Sequence, residues 1–272
     1  MARPKRTDTE ALRSRMRTVA LMQELARRVG ADNPNQFARW FDEQADATTQ
    51  ESGKWRHNFN GNRPLSGQQL NWLSKRPEFE DVQAAYRAGP SDLWLAMWSD
   101  HKDLWPLCRT RYCTAGPSLD GCIWQALAPD DWGNDERGYC EAMREFEGEL
   151  LLAEAYAEPL ELRHLTEAIA LYRIHHFVNS IAPTKIDGSG AYRCVRMCTD
   201  NFALLLQLEA LGVYELLVSE LVAHEAAQLE ISRTYRAAIP VTDFQIDRYL
   251  AQPQAAIPES QRWQSLQLDW AP

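Results

Sequence analysis

The sequence predicts a mainly α-helical protein. It should hold an N-terminal helical domain, a loop-rich connector and a larger all-α C-terminal domain. Three observations carry this reading. Capping-box pairs, Thr7 with Glu10 and Ser66 with Gln69, each open an amphipathic run. Apolar residues recur at helical spacing, as at Leu162, Leu165, Ile169 and Tyr172, while strand-like alternation is nearly absent. Proline and glycine gather between residues 99 and 137, so any sheet is confined there. The expected divisions are 1–88, 89–137, 138–250 and a tail at 251–272.

The elements follow in order. Residues 1–6 are a short basic arm. The first helix should run from the Thr7 cap to about Val29, with Gly30 as its stop. A second, from Pro34 to about Gln44 with Asn33 as cap, buries Phe37, Trp40 and Phe41. Trp55 and Phe59, one helical turn apart, anchor a short basic helix that ends at Gly61. Ser66 opens the next helix, whose apolar face holds Leu70 and Leu73. Pro77 ends that unit. Helices at Glu78–Arg87 and Ser91–Trp98 follow, broken at Gly89-Pro90, with Trp94, Met97 and Trp98 as core.

The connector contains Trp105, Trp124 and Trp132, too much apolar bulk for a disordered linker. Tyr139–Ala157 reads as a helix, and Pro159 should open another that ends before Pro183 and the Asp187-Gly-Ser-Gly190 turn. A third helical region spans about Tyr192 to Arg236. Its stretch from Phe202 to Val222 is apolar almost all round, which predicts a central helix, with Gly212 as its weak point. Asp243–Leu250 is a last short helix.

Charge is segregated. Residues 1–76 hold 14 Lys/Arg and 8 Asp/Glu, a net of +6. Residues 77–272 hold 15 and 30, a net of −15. The basic segment suits a polyanion, and the acidic remainder suits self-association or a protein partner. No run approaches the roughly 18 apolar residues of a membrane span, and the basic start lacks the apolar core of a secretory signal. A cytoplasmic protein without membrane contact is expected. The six cysteines read as reduced thiols.

The run Gly61-x-Arg63-x-x-Ser66-x-x-x-Leu70-x-x-Leu73, after a short basic helix, resembles the second half of a Cro/repressor-type helix-turn-helix domain. Asn35-Gln36-Phe37-Ala38 resembles that family's preceding helix. Two departures stand out: an insert at Ala45–Gln50, and Asn58 where an apolar residue is common. The resemblance implies a bacterial-type DNA-binding protein, with transcriptional regulation as the expected use. It implies that Ser52, Lys54, Arg56 and His57 reach base edges, while Arg63, Lys5 and Arg6 hold phosphates. It also implies a two-fold homodimer. The alternative is a protein-interaction factor, such as an assembly or defence-system accessory subunit, acting through the acidic domain. Lys54-Trp55, Gly61 and Pro64, with Gly89-Pro90-x-x-Leu93-Trp94, also resemble a group of proteobacterial proteins, a likeness that carries no function.

Catalytic patterns are missing. Gly188-Ser-Gly190 lacks the lysine of a phosphate loop, His224-Glu225 lacks the second histidine of a zinc-protease helix, and no nucleophile elbow occurs. No enzyme and no cofactor are expected. Two sets of residues invite comparison with metal sites. His101, Cys108, Cys113, Cys122 and Cys140 lack paired ligand spacing. Cys194 and Cys198 share a helical face that His175 or His176 could complete, but buried thiols and a core histidine are the plainer reading.

Overall fold

The computed structural model describes residues 7–108, 136–181 and 191–234. Among the described residues the chain forms α-helices and short 3-10 turns and no strand. The first helix, α1 (Asp8–Arg28), opens on a complete capping box. Thr7 Oγ1 accepts the Glu10 N–H, and the Glu10 carboxylate accepts the Thr7 N–H. Arg27 and Arg28 in its last turn complement the helix dipole. In α2 (Pro34–Ala45), Asn33 Oδ1 accepts from the Asn35 and Gln36 N–H groups. Asp46 then leaves the helix in the left-handed conformation.

The chain after α2 turns at 46–50, and this turn is pinned from α2. The Asp42 carboxylate accepts the Thr49 and Gln50 N–H groups, each at 2.8 Å. Thr49 Oγ1 accepts in turn from Trp55 Nε1 at 2.9 Å. After it come α3 (Arg56–Phe59), α4 (Gly67–Leu73), α5 (Val82–Ala88) and α6 (Leu93–Trp98). The Ser66–Gln69 capping box is present as expected. Two expected helices are shorter. Instead of Glu78–Arg87 there is a 3-10 turn at Pro77–Phe79 and then α5. Instead of starting at Ser91, α6 starts at Leu93. Ser91 and Asp92 have positive φ, and Gly89 (φ +78) lies so close to Trp94 that a Cβ would meet its ring at 2.3 Å.

The C-terminal helices are α7 (Glu136–Ala155), α8 (Leu162–Ile181), α9 (Ala191–Asp200), α10 (Phe202–Ala210) and α11 (Tyr214–Thr234). Pro159 does not open α8. Leu160 is buried and its carbonyl accepts from Gln207 Nε2 at 2.9 Å, and the segment lies outside any helix. The helix begins beyond it, where His164 Nδ1 accepts the Glu161 N–H. The central helix is also not Phe202–Val222. That stretch is cut at Gly212 (φ +68), with α10 and α11 bent by 115°. Phe202 is 72% exposed. The central place belongs to α8, where Leu165, Ile169 and Tyr172 are buried and so are Thr166, Glu167 and His175 on other faces. Tyr172 O–H donates to Glu225 of α11, and burial holds the Glu225 carboxyl above the usual carboxylate range.

Two clusters of buried side chains result. The first joins Leu25 of α1, Phe37 and Phe41 of α2, Trp55, Phe59, Leu73 and Phe79. Phe37 is its hub, with ring centroids 5.7 Å from Trp55 and 5.6 Å from Phe59. The second joins Met16, Val19 and Ala20 of α1 with Trp94, Met97 and the C-terminal helices. Helix α1 therefore serves both. At the junction, buried Glu220 of α11 accepts from Arg13 Nε at 3.2 Å and Trp98 Nε1 at 3.0 Å. The Arg17 guanidinium lies 4.8 Å from the Trp98 ring centroid, and burial lowers its pKa. Among the described residues no single helix is long and apolar enough to cross a membrane. The connector from 109 to 135, the Asp187–Gly190 turn, the Asp243–Leu250 helix and the tail lie outside the described residues.

Candidate nucleic-acid interface

The basic helix is one turn long, and its exposed side chains depend on a buried frame. Trp55 and Phe59 sink into the first core. Between them Asn58 is 2% exposed. Its Nδ2 donates to the Arg63 carbonyl at 2.9 Å, and its Oδ1 accepts from Gln69 Nε2 at 3.0 Å. A leucine would leave both partners unmet, which accounts for an amide at a position where an apolar residue was expected. The loop from Gly61 to Leu65 is held from its other side by α1. Leu65 N–H donates to the buried Thr18 Oγ1 at 3.0 Å. Gly61 (φ +67) lies against Arg15 and Val19, with no room for a Cβ. The resulting frame ties α1, α3 and α4 together.

Above that frame is a concavity of about 830 Å³. Four expected site residues line it: Ser52, Lys54, His57 and Arg63. Lys75 and Trp72 of the α4 segment line it too, with the amides of Asn58, Gln68, Gln69 and Asn71. The lining contains no Asp or Glu. Lys54, Arg63 and Lys75 are exposed and take part in no ion pair among the described residues. Lys54 Nζ lies 4.3 Å from the Trp72 ring centroid, a cation–π contact. Trp72 is itself set by Phe41, at 4.6 Å between centroids, and by Trp55 at 5.9 Å. The core thus positions the lysine through two aromatic layers. Ser52 Oγ donates to the Thr49 carbonyl and closes the turn before Lys54.

Arg56 is exposed but lies outside this concavity. Lys5 and Arg6 lie outside the described residues. Sequence reasoning missed the α4 wall, although Gln68, Asn71 and Trp72 stand at i, i+3 and i+4 on one face of that helix; Lys75 follows just beyond its Ser74 cap.

The two metal sets resolve differently. Among the described residues no group of three or more His, Cys, Asp or Glu is placed to hold a metal ion. Cys194 and Cys198 are buried and form no disulfide among the described residues, and His176 packs edge-on against Tyr172 with centroids 4.3 Å apart. His101 stacks on Phe177, and Cys108 is buried with Sγ 3.7 Å from the Leu104 carbonyl. Cys113 and Cys122, with the side chain of Cys140, lie outside the described residues. No protein-family model, curated protein or solved structure matches the chain.

Proposed function

We propose that this is a DNA-binding protein of the transcriptional-regulator kind that engages the duplex with the turn before α3, with α3 itself and with the polar face of α4. The observation that carries this reading is the acid-free lining of the concavity, where Lys54, His57, Arg63 and Lys75 converge among amide side chains. Cations without carboxylate partners suit a phosphate backbone, and amides suit phosphate oxygens or base edges. The net +6 of residues 1–76 agrees in sign. Arg56 and His57 are adjacent on one turn, so they point about 100° apart around the axis. In this reading Arg56 meets the same duplex beside the concavity, and Lys5 and Arg6 lie along its phosphates.

The test is binding of the full chain to short duplexes of random sequence across a salt series, followed by selection of preferred sites. Wild-type binding should weaken steeply with salt. Lys75→Ala and Arg63→Ala should each shallow the logarithmic slope by about 1, whatever the sequence. Arg56→Ala should lose about 1–3 kcal/mol on the selected site and relax one base position. No salt-dependent binding at low ionic strength would end the proposal.

A further inference from the structure

The helices of the second core leave an open trough of about 960 Å³. It runs between the end of α7, the Pro159–Leu160 segment, α9, the start of α10 and the middle of α11. Its floor is apolar, with Leu150, Leu160, Val195 and Leu221 all buried. Phe202 stands in the wall at 72% exposure, and Leu206, one turn further along α10, is 47% exposed. Leu151, Leu152 and Tyr156 of the α7 end are exposed as well. These five are the exposed large apolar side chains among the described residues; Phe202 lines the trough, and the other four lie outside its lining on α7, the turn after it and α10, the same segments that supply part of that lining. Apolar surface gathered in this way marks contact with another molecule.

Shape and charge select the occupant. Small-molecule sites enclose most of the ligand, whereas a phenylalanine this exposed leaves the trough open. An open apolar trough between helices fits the apolar face of an amphipathic helix. The trough carries Glu154, Glu158 and Asp200 against Arg193 and Arg196, and Arg193 is already paired with Glu147 at 3.1 Å. The three carboxylates make no ion pair among the described residues. A second copy placed two-fold here would set like charges together. The chain's own tail, 251–272, is a poor fit as well, since Glu259 and Asp269 outnumber Arg262. We propose that the trough docks a basic amphipathic helix of a partner protein. Its apolar stripe lies on Phe202 and the floor, and its Lys/Arg flanks face Glu154, Glu158 and Asp200. This does not rest on DNA binding, and the two can fail separately.

The experiment uses the full chain and a fluorescent Leu/Lys peptide of about four helical turns, read by anisotropy. A peptide of the same composition, reordered to have no apolar face, controls for nonspecific attraction to an acidic protein. A Leu/Glu peptide tests charge. The ordered Leu/Lys peptide should bind roughly 10-fold or more tightly than either control, and Phe202→Ser and Asp200→Lys should each weaken it by a similar factor. Both positions are exposed, so circular dichroism of each variant should match wild type. Equal binding of the reordered peptide, or unchanged binding by both variants, overturns the proposal. So does tighter binding of the 251–272 peptide, or a dimer that Phe202→Ser abolishes.

Discussion

Gly61→Ala should destabilise the protein through two separable terms. The residue has φ +67, where a Cβ is disfavoured by about 1–2 kcal/mol. The added methyl would also lie 2.6 Å from Arg15 Cγ and 2.9 Å from Val19 Cγ2. Both distances are inside van der Waals contact. Arg15 is exposed and can swing away, but Val19 is 6% exposed and packed in the second core. Overpacking of this sort costs about 1–3 kcal/mol. The sum is about 2–5 kcal/mol. Urea unfolding followed by tryptophan fluorescence measures it. Val19→Ala in the Gly61→Ala background should relieve the steric part only, so the double variant should cost at least about 0.5 kcal/mol less than the sum of the single costs. A Gly61→Ala variant within about 0.5 kcal/mol of wild type, or strict additivity with Val19→Ala, would refute the close approach between this loop and α1.

Trp55→Ala should cost roughly 3–5 kcal/mol by emptying the first core, while Trp55→Phe should cost far less, losing chiefly the hydrogen bond to Thr49; urea titration separates the two. Asn58→Leu nearly conserves volume but severs the bonds to Arg63 and Gln69, so it should cost about 1–3 kcal/mol, and Gln69→Ala in that background should cost less than it does alone. For Glu225, burial raises the folded-state pKa above the unfolded one, so the folded state binds the proton more tightly. Stability contributed by that proton is present below the unfolded pKa and is lost as pH rises through the folded one. Glu225→Gln, which can still accept from Tyr172, should therefore raise the melting temperature at neutral pH and change it little in acid, as thermal scans across pH would show.

Local signals were the legible ones. Thr7, Asn33 and Ser66 cap because each competes only with its own next three residues, and the structure forms all three caps. Signals decided by distant partners were not legible. Pro159 suits a first helical turn, yet the Leu160 carbonyl is taken by Gln207, 47 residues away. In the apolar run from Phe202 the glycine at 212 marks where a break can fall, but hydrophobicity does not reveal that the chain turns there by 115° or that Phe202 ends up exposed. Asn58 looked like a flaw in an apolar position, since both of its partners come from later in the chain. At the candidate site, the basic turn singles out Ser52, Lys54 and His57, the resemblance after Gly61 adds Arg63, and the structure brings these four to one concavity. Lys75 is not legible in that way, because it follows the cap of α4 and the helical pattern there marks only the apolar face of Leu70 and Leu73.

The two cores are not beads joined by a linker, and a single side chain shows why. Val19 of α1 sits between two glycines. Its Cγ2 is 2.9 Å from where a Cβ of Gly61 would stand, and its Cγ1 is 2.9 Å from where a Cβ of Gly212 would stand. Gly61 leads into the loop that carries Arg63, and Gly212 is the break between α10 and α11. Both glycines have positive φ, so each turn needs glycine for backbone reasons as well as for space. One residue earlier, Thr18 holds the same loop through Leu65, and one turn earlier, Arg15 covers Gly61. On the neighbouring flank Arg13 reaches Glu220 of α11. A helix of 21 residues is about 32 Å of stiff rod. The loop of the candidate DNA interface and the α10–α11 turn are therefore packed on the same stretch of one rod.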